Sequence, residues 1–196
     1  MRGAVRIVMA SRNQHKVREL ARVLAPHDLD PLPDSVALPP EDGTTFTENA
    51  LLKARAVAAA TGGPALADDS GIVVEALGGA PGVWSARYAG EDATDEQNLD
   101  KLLAEMRGKA DRRAAYVCML AMIGADGSER LFEGRCEGRL ALAPRGTGGF
   151  GYDPAFLPDD LDGRERTMAE LEPGEKDAIS HRGRAARALA AALGTP

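Results

Sequence analysis

Three capping boxes divide this chain: Thr45-x-x-Glu48, Thr94-x-x-Gln97 and Thr167-x-x-Glu170. In each, a hydroxyl and a side chain three residues on satisfy helix-start N–H groups reciprocally. Three helix starts are therefore placed before any periodicity is counted. Around them run apolar stretches of strand length. Residues 4–10 lead into Ser11-Arg12-Asn13 and then a helical face of Val17, Leu20, Ala21 and Leu24. Phe46, Ala50, Ala54 and Val57 line a second helix, which Gly62-Gly63-Pro64 stops near Thr61. Leu99, Leu102, Leu103 and Met106 line a third. Residues 65–67 and 72–75 read as two strand pieces broken by Asp68-Asp69-Ser70-Gly71. Residues 114–124 and 128–142 read as strands around the turn Asp126-Gly127, and Ser180 caps a last helix to about Leu193. Strand and helix do not alternate strictly. The expected fold is therefore α/β, a mixed central β-sheet flanked by helices rather than a doubly wound parallel sheet. A length of 196 residues suits a single domain, 1–196.

Composition narrows the partners. The formal net charge is −6, which argues against a polymeric nucleic acid or an anionic membrane surface, since both call for a broad basic face. No run of 18 apolar residues is present, so no membrane span is expected. Cys118 and Cys136 fit no metal-ligand spacing and read as reduced, partly buried hydrophobes, which points to the cytoplasm. Lysine is scarce, at 16, 53, 101, 109 and 176 only, so each lysine near polar motifs is informative.

Ala67-Asp68-Asp69-Ser70-Gly71 is the most informative stretch. Adjacent residues on a strand point to opposite faces, so one carboxylate would face an active side and the other brace it. A hard cation such as Mg²⁺ would relieve their mutual repulsion. Glu41 offers a further carboxylate, and Asn49 and Lys53, four apart, share a strip of the second helix. Ser11-Arg12-Asn13-Gln14-His15-Lys16 is a strand-to-helix turn whose N–H groups and lysine form an anion site. Gly146-Thr147-Gly148-Gly149-Phe150-Gly151 formally matches a dinucleotide fingerprint. Tyr152-Asp153-Pro154 follows, however, and cannot open a regular helix. A flexible loop offering Phe150 and Tyr152 for base stacking is the better reading. His181 and Arg182 begin a helix, where cations oppose the macrodipole. An anionic or carbonyl-rich partner is therefore expected there, with Lys176 nearby.

The ordered set of motifs is specific. It comprises the turn at 11–16, Glu-x-Gly-x-Thr-Phe-x-x-Asn-Ala at 41–50, Lys53, and Ala-Asp-Asp-Ser-Gly at 67–71. It continues with Gly-Gly-Ala-Pro-Gly-x-x-Ser-Ala-Arg-Tyr at 78–88, Gly-Thr-Gly-Gly-Phe-Gly-Tyr-Asp-Pro at 146–154 and Ser-His-Arg at 180–182. Together these resemble the inosine triphosphate pyrophosphatase family, from Ile7 to Leu193. The resemblance implies two lobes with an active-site cleft between them. It implies Mg²⁺-dependent hydrolysis of ITP, dITP or XTP to the monophosphate and pyrophosphate, keeping such bases out of DNA and RNA. Family roles place the triphosphate on Ser11, Arg12, Asn13, Gln14, His15, Lys16 and Lys53. Asp69 becomes metal ligand and general base, with Glu41 and Asp68 completing the metal set. Ser70 touches substrate, and Phe150, Gly151, Tyr152, Asp153, Lys176, His181 and Arg182 form the purine pocket. A homodimer is also implied. Two alternatives stay open: a Maf-like nucleotide pyrophosphatase with another base preference, and a non-catalytic nucleotide-binding protein.

Overall fold

A computed structural model describes residues 4–161, 163 and 165–194. Its six-stranded sheet has the order β2-β1-β3-β4-β5-β6. The strands are β1 (Arg6–Met9), β2 (Asp28–Asp30), β3 (Ala65–Val74), β4 (Arg113–Ile123), β5 (Glu129–Leu140) and β6 (Phe156–Pro158). Strand β1 pairs in parallel with β2 and β3, whereas β6 pairs antiparallel with β5, so the sheet is mixed. The helices are α1 (Gln14–Leu24), α2 (Phe46–Thr61), α3 (Asp95–Glu105), α4 (Pro173–Ile179) and α5 (His181–Leu193).

The helix starts follow the sequence signals. Asn13 caps α1 by accepting from the N–H groups of His15 and Lys16. Complete capping boxes open α2 at Thr45 and α3 at Thr94. The box at Thr167 governs only a single turn, Met168–Glu170. Gly62, left-handed at φ 68°, ends α2. The expected break at 68–71 is absent, because β3 runs unbroken through Asp68-Asp69-Ser70-Gly71. Helix α4 and strand β6 are additions to the expected elements.

The chain forms two compact units. The first holds the described residues through Asp69, together with Cys118–Gly134 and the segment from His181 onward. The second holds Ser70–Val117 and Arg135–Ser180. Strands β3, β4 and β5 supply residues to both.

Within the first unit the two-residue period of β3 sorts its neighbours. Leu66 packs with Leu20 and Leu24 of α1, Cys118 and Leu120 of β4, and Ala185 and Leu189 of α5. Ala65 and Ala67 pack instead with Ala50, Ala54 and Val57 of α2. By the same alternation Asp68 belongs to the α1/α5 side and Asp69 to the α2 side. Gly134 of β5 lets α5 lie close, since a Cβ there would run into the carbonyl of His181 and the amide of Ala185. In the second unit Ile72, Val74, Leu102, Met106, Tyr116, Leu140 and Phe156 form the core. Tyr116 and Phe156 pack there with ring centroids 4.8 Å apart. Among the described residues no helix is long and apolar enough to cross a membrane.

Candidate active site

Two adjacent carboxylates on β3 organise the polar interior of the first unit. On the α1/α5 side, Asp68 accepts from Arg182 Nε at 2.8 Å and pairs with Lys16 Nζ at 2.5 Å. The Cys118 thiol also donates to it, at 3.1 Å. Arg182 Nη1 donates in turn to Glu19 of α1 at 2.6 Å. Arg182 is only 2% exposed, Asp68 1% and Glu19 7%, so these charges lie inside the protein. Burial alone would raise the Asp68 carboxyl, but Arg182 and Lys16 outweigh it and hold it well below the usual carboxylate range. Burial, reinforced by Asp68, pushes the Cys118 thiol well above its ordinary value and keeps it protonated. The partner expected for a cation at the start of α5 is thus a pair of the protein's own carboxylates.

On the α2 side, Lys53 Nζ donates to Asp69 Oδ1 at 3.1 Å, to the Asp68 carbonyl at 2.8 Å, and to Glu41. Asn49 Nδ2 donates to the other Asp69 oxygen at 3.2 Å. Burial pulls the Lys53 ammonium down, but Asp69 and Glu41 more than offset this and keep it charged. Asp69 ends above its ordinary value, because burial outweighs the attraction of Lys53 and Lys16. A carboxylate of this kind is a stronger base than one in water and is already aimed by two donors.

Among the described residues, no group of three or more His, Cys, Asp or Glu side chains is arranged to hold a metal ion. Of the expected acidic set, Glu41 and Asp69 converge on one point, the Lys53 ammonium, while the Asp68 carboxylate is taken up by Arg182 and Lys16. Glu41 and Asp69 supply the one or two carboxylates that a hard divalent ion takes, its shell completed by water and phosphate oxygens, but such an ion would have to displace the Lys53 ammonium from between them.

The 11–16 turn is built as expected for a helix entrance. Ser11 Oγ accepts from the Asn13 N–H, and Asn13 Oδ1 accepts from His15 and Lys16. Gln14 is exposed at the first position of α1, and His15 lies 3.2 Å from Arg18. Arg12 reaches away to the Val36 carbonyl at 3.0 Å.

The second unit holds the other expected residues. Ser70 is half-buried on β3. Lys176 of α4 pairs with Asp153 at 2.6 Å and stands 5.0 Å over the Phe150 ring. The loop carrying Phe150 is pinned. Gly148 N–H donates to Ala169, Phe150 N–H to Asp153 Oδ2, and Gly151 N–H to Asp95 Oδ2. Tyr152 differs from expectation: it is 4% exposed, lies in the core, and donates its hydroxyl to the Ser85 carbonyl at 2.7 Å. Only Phe150 of the two keeps an accessible face, because Tyr152 turns into the core of the second unit. His181 is buried at the first position of α5, in the first unit.

Gly149 sits at φ 70°, and a Cβ there would land on Asp153 Oδ2. Gly149→Ala is therefore expected to lower stability by about 1–3 kcal/mol through the strained backbone, read as a drop in urea midpoint. An unchanged midpoint would show that the loop relaxes at no cost.

Sequence reasoning passed over Glu19 and Asp95, read Cys118 only as a reduced, partly buried hydrophobe, and quoted Ser85 only within the 78–88 motif. Only Glu19 left a signal, an acid three residues after Lys16 and directly before the core residue Leu20.

Known proteins share this arrangement of sequence and fold. A dITP/XTP pyrophosphatase from Streptomyces coelicolor is 52% identical over 192 residues, covering 94% of this chain and 94% of that protein. One from Geobacter sulfurreducens is 49% identical over 195 residues, covering 96% of each. The structure of the Staphylococcus aureus Ham1 protein superposes with a TM-score of 0.86 at 41% identity, covering 96% of this chain and 97% of that one. A HAM1 protein from Coxiella burnetii gives 0.86 at 42% identity, covering 98% and 100%. The sequence profile of the Ham1 family matches residues 7–192. On a match of that extent, supported by the same fold, the chain belongs to the Ham1 family.

Proposed function

We propose that this chain hydrolyses noncanonical purine nucleoside triphosphates, ITP, dITP and XTP, to the monophosphate and pyrophosphate. The observation that carries the reading is the pair of buried Asp69 and half-buried Glu41 sharing Lys53, in a chain about half identical to dITP/XTP pyrophosphatases. Mg²⁺ is the ion we assign to Glu41 and Asp69, where it would supply positive charge to the phosphate oxygens. Asp69 takes the proton of the attacking water, its carboxylate aimed by Asn49 and Lys53. Lys53 and Lys16 place positive charge for the transferring group and the leaving pyrophosphate. Ser11, Asn13, Gln14 and His15 line the phosphate end through the entrance of α1, with Arg12 holding the 34–36 segment beside it. Asp68 and Arg182 hold Lys16 in position from behind.

The base is assigned to Phe150, Gly151, Asp153 and Lys176, with Tyr152 supporting the loop and Ser70 touching the substrate, while Arg182, closed in by Asp68 and Glu19, serves Lys16 instead. Lys176 beside the Phe150 face offers an ammonium donor next to a stacking surface. Inosine and xanthine carry a 6-oxo acceptor, whereas adenine presents a 6-amino donor and would leave such donors unpaired. Two buried free cysteines suit a reducing compartment, so we place the enzyme in the cytoplasm, and we assign it a homodimeric state from its family resemblance.

A panel of ITP, XTP, dITP, GTP, ATP and dTTP tests the reading. Pyrophosphate should appear as the first product from ITP, far faster than from ATP. Chelation should stop turnover and Mg²⁺ restore it. Orthophosphate as the first product would overturn the bond assignment, and equal rates on ATP the base assignment.

A further inference from the structure

The Asn49 side chain, fully buried on the first turns of α2, is engaged at both ends by parts of the active site. Its Oδ1 accepts from the Gly43 N–H at 2.9 Å, and its Nδ2 donates to Asp69 Oδ2 at 3.2 Å. The first bond settles the second: an amide whose oxygen faces a backbone N–H must turn its NH₂ group the other way. Gly43 stands two residues from Glu41, and a Cβ at Gly43 would sit 2.6 Å from Asn49 Oδ1. The glycine is thus fitted to the amide. Asp69 is held by two side chains one turn apart on the same helix, Asn49 on Oδ2 and Lys53 on Oδ1.

Those two contacts differ in kind. An ammonium is a point charge with rotatable donors on a flexible stem, so Lys53 sets the charge around Asp69 but constrains its rotation weakly. A packed planar amide has one donor direction. We propose that Asn49 is a positioning residue for the reaction proposed above. It fixes the rotation of the Asp69 carboxylate and ties the Glu41 segment to it, so that the two acids keep one mutual placement. The inference rests on that functional reading for its kinetic consequence, but its geometric consequence stands apart from it.

Two variants test this. Asn49→Ala removes both bonds. Asn49→Asp keeps the shape and the acceptor for Gly43 but turns an oxygen toward Asp69. In both, kcat for ITP should fall about 100-fold, the scale of loss from a small misplacement of a catalytic group, with KM within about threefold of the parent. Crystal structures of the parent and Asn49→Ala supply a readout independent of substrate. The Asp69 carboxylate should rotate or divide between conformers, and residues 41–43 should shift. An Asp69 in the parent orientation, or a raised KM at parental kcat, overturns the positioning role. Failure of the parent itself to release pyrophosphate from ITP would instead count against the functional reading, and the crystallographic comparison would still decide Asn49. Should Asn49→Ala not fold, Asn49→Asp carries both measurements.

Discussion

Arg182→Met should cost the fold about 3–5 kcal/mol, the usual result of removing one partner from a buried ion network. Asp68 and Glu19 would be left facing each other's charge in the interior, with Lys16 the remaining cation on Asp68. Methionine fills much of the arginine stem's volume, so the loss reports charge rather than a cavity. Urea unfolding measures it directly, and a loss under about 1 kcal/mol would mean that water reaches the network and screens it. The pH dependence has a definite sign. Because Asp68 is held well below its ordinary value in the fold, its pairing stabilises the protein above the unfolded value of about 3.9. That stabilisation is lost as pH falls further, through the folded value. The parent should therefore lose stability in acid more steeply than Arg182→Met.

Asp69→Asn should lower kcat by about 10³-fold, within the range that a positioned general base contributes. The amide keeps the shape of the carboxylate, and Lys53 retains Glu41 and the Asp68 carbonyl as acceptors. The thermal midpoint should accordingly stay close to the parent's. Steady-state kinetics alongside a melting curve separates the two effects, and a kcat within tenfold of the parent would remove Asp69 from the proton transfer. In the parent, kcat should decline as pH falls and Asp69 takes up a proton, since the carboxylate is the active form, and a bound Mg²⁺ would move that decline to lower pH.

These two variants touch neighbouring residues yet act differently, and that contrast explains what the sequence made legible. The helix starts at Asn13, Thr45 and Thr94 are local events, written in residues within three positions of one another. The turn at Asp126-Gly127 is equally local, with Ser128 donating to Asp126 at 3.0 Å. The alternation of Asp68 and Asp69 across a strand could be anticipated, as could the strip shared by Asn49 and Lys53. The continuity of β3 could not. Asp-Asp-Ser-Gly reads as a turn because polar side chains compete for the backbone. Here the partners that allow two acids inside a buried strand come from far along the chain, Arg182 from 114 residues away and Lys53 from 16. The same reason hid Tyr152: a loop aromatic looks available until Ser85, 67 residues earlier, takes its hydroxyl. Helix α4 was hidden for a simpler reason, since its seven residues are too few to show a period.

The span of the Arg182 network bears on biosynthesis. Glu19 and Arg182 are separated by 163 positions, and Asp68 lies between them in sequence. Domains fold as units while the ribosome adds about 5–20 residues per second. Strand β3 and helix α2 can be made early, but the charge on Asp68 finds its guanidinium only after residue 182 has left the exit tunnel. Until then the buried Asp68 carboxylate lacks the cation that holds it from the α5 side.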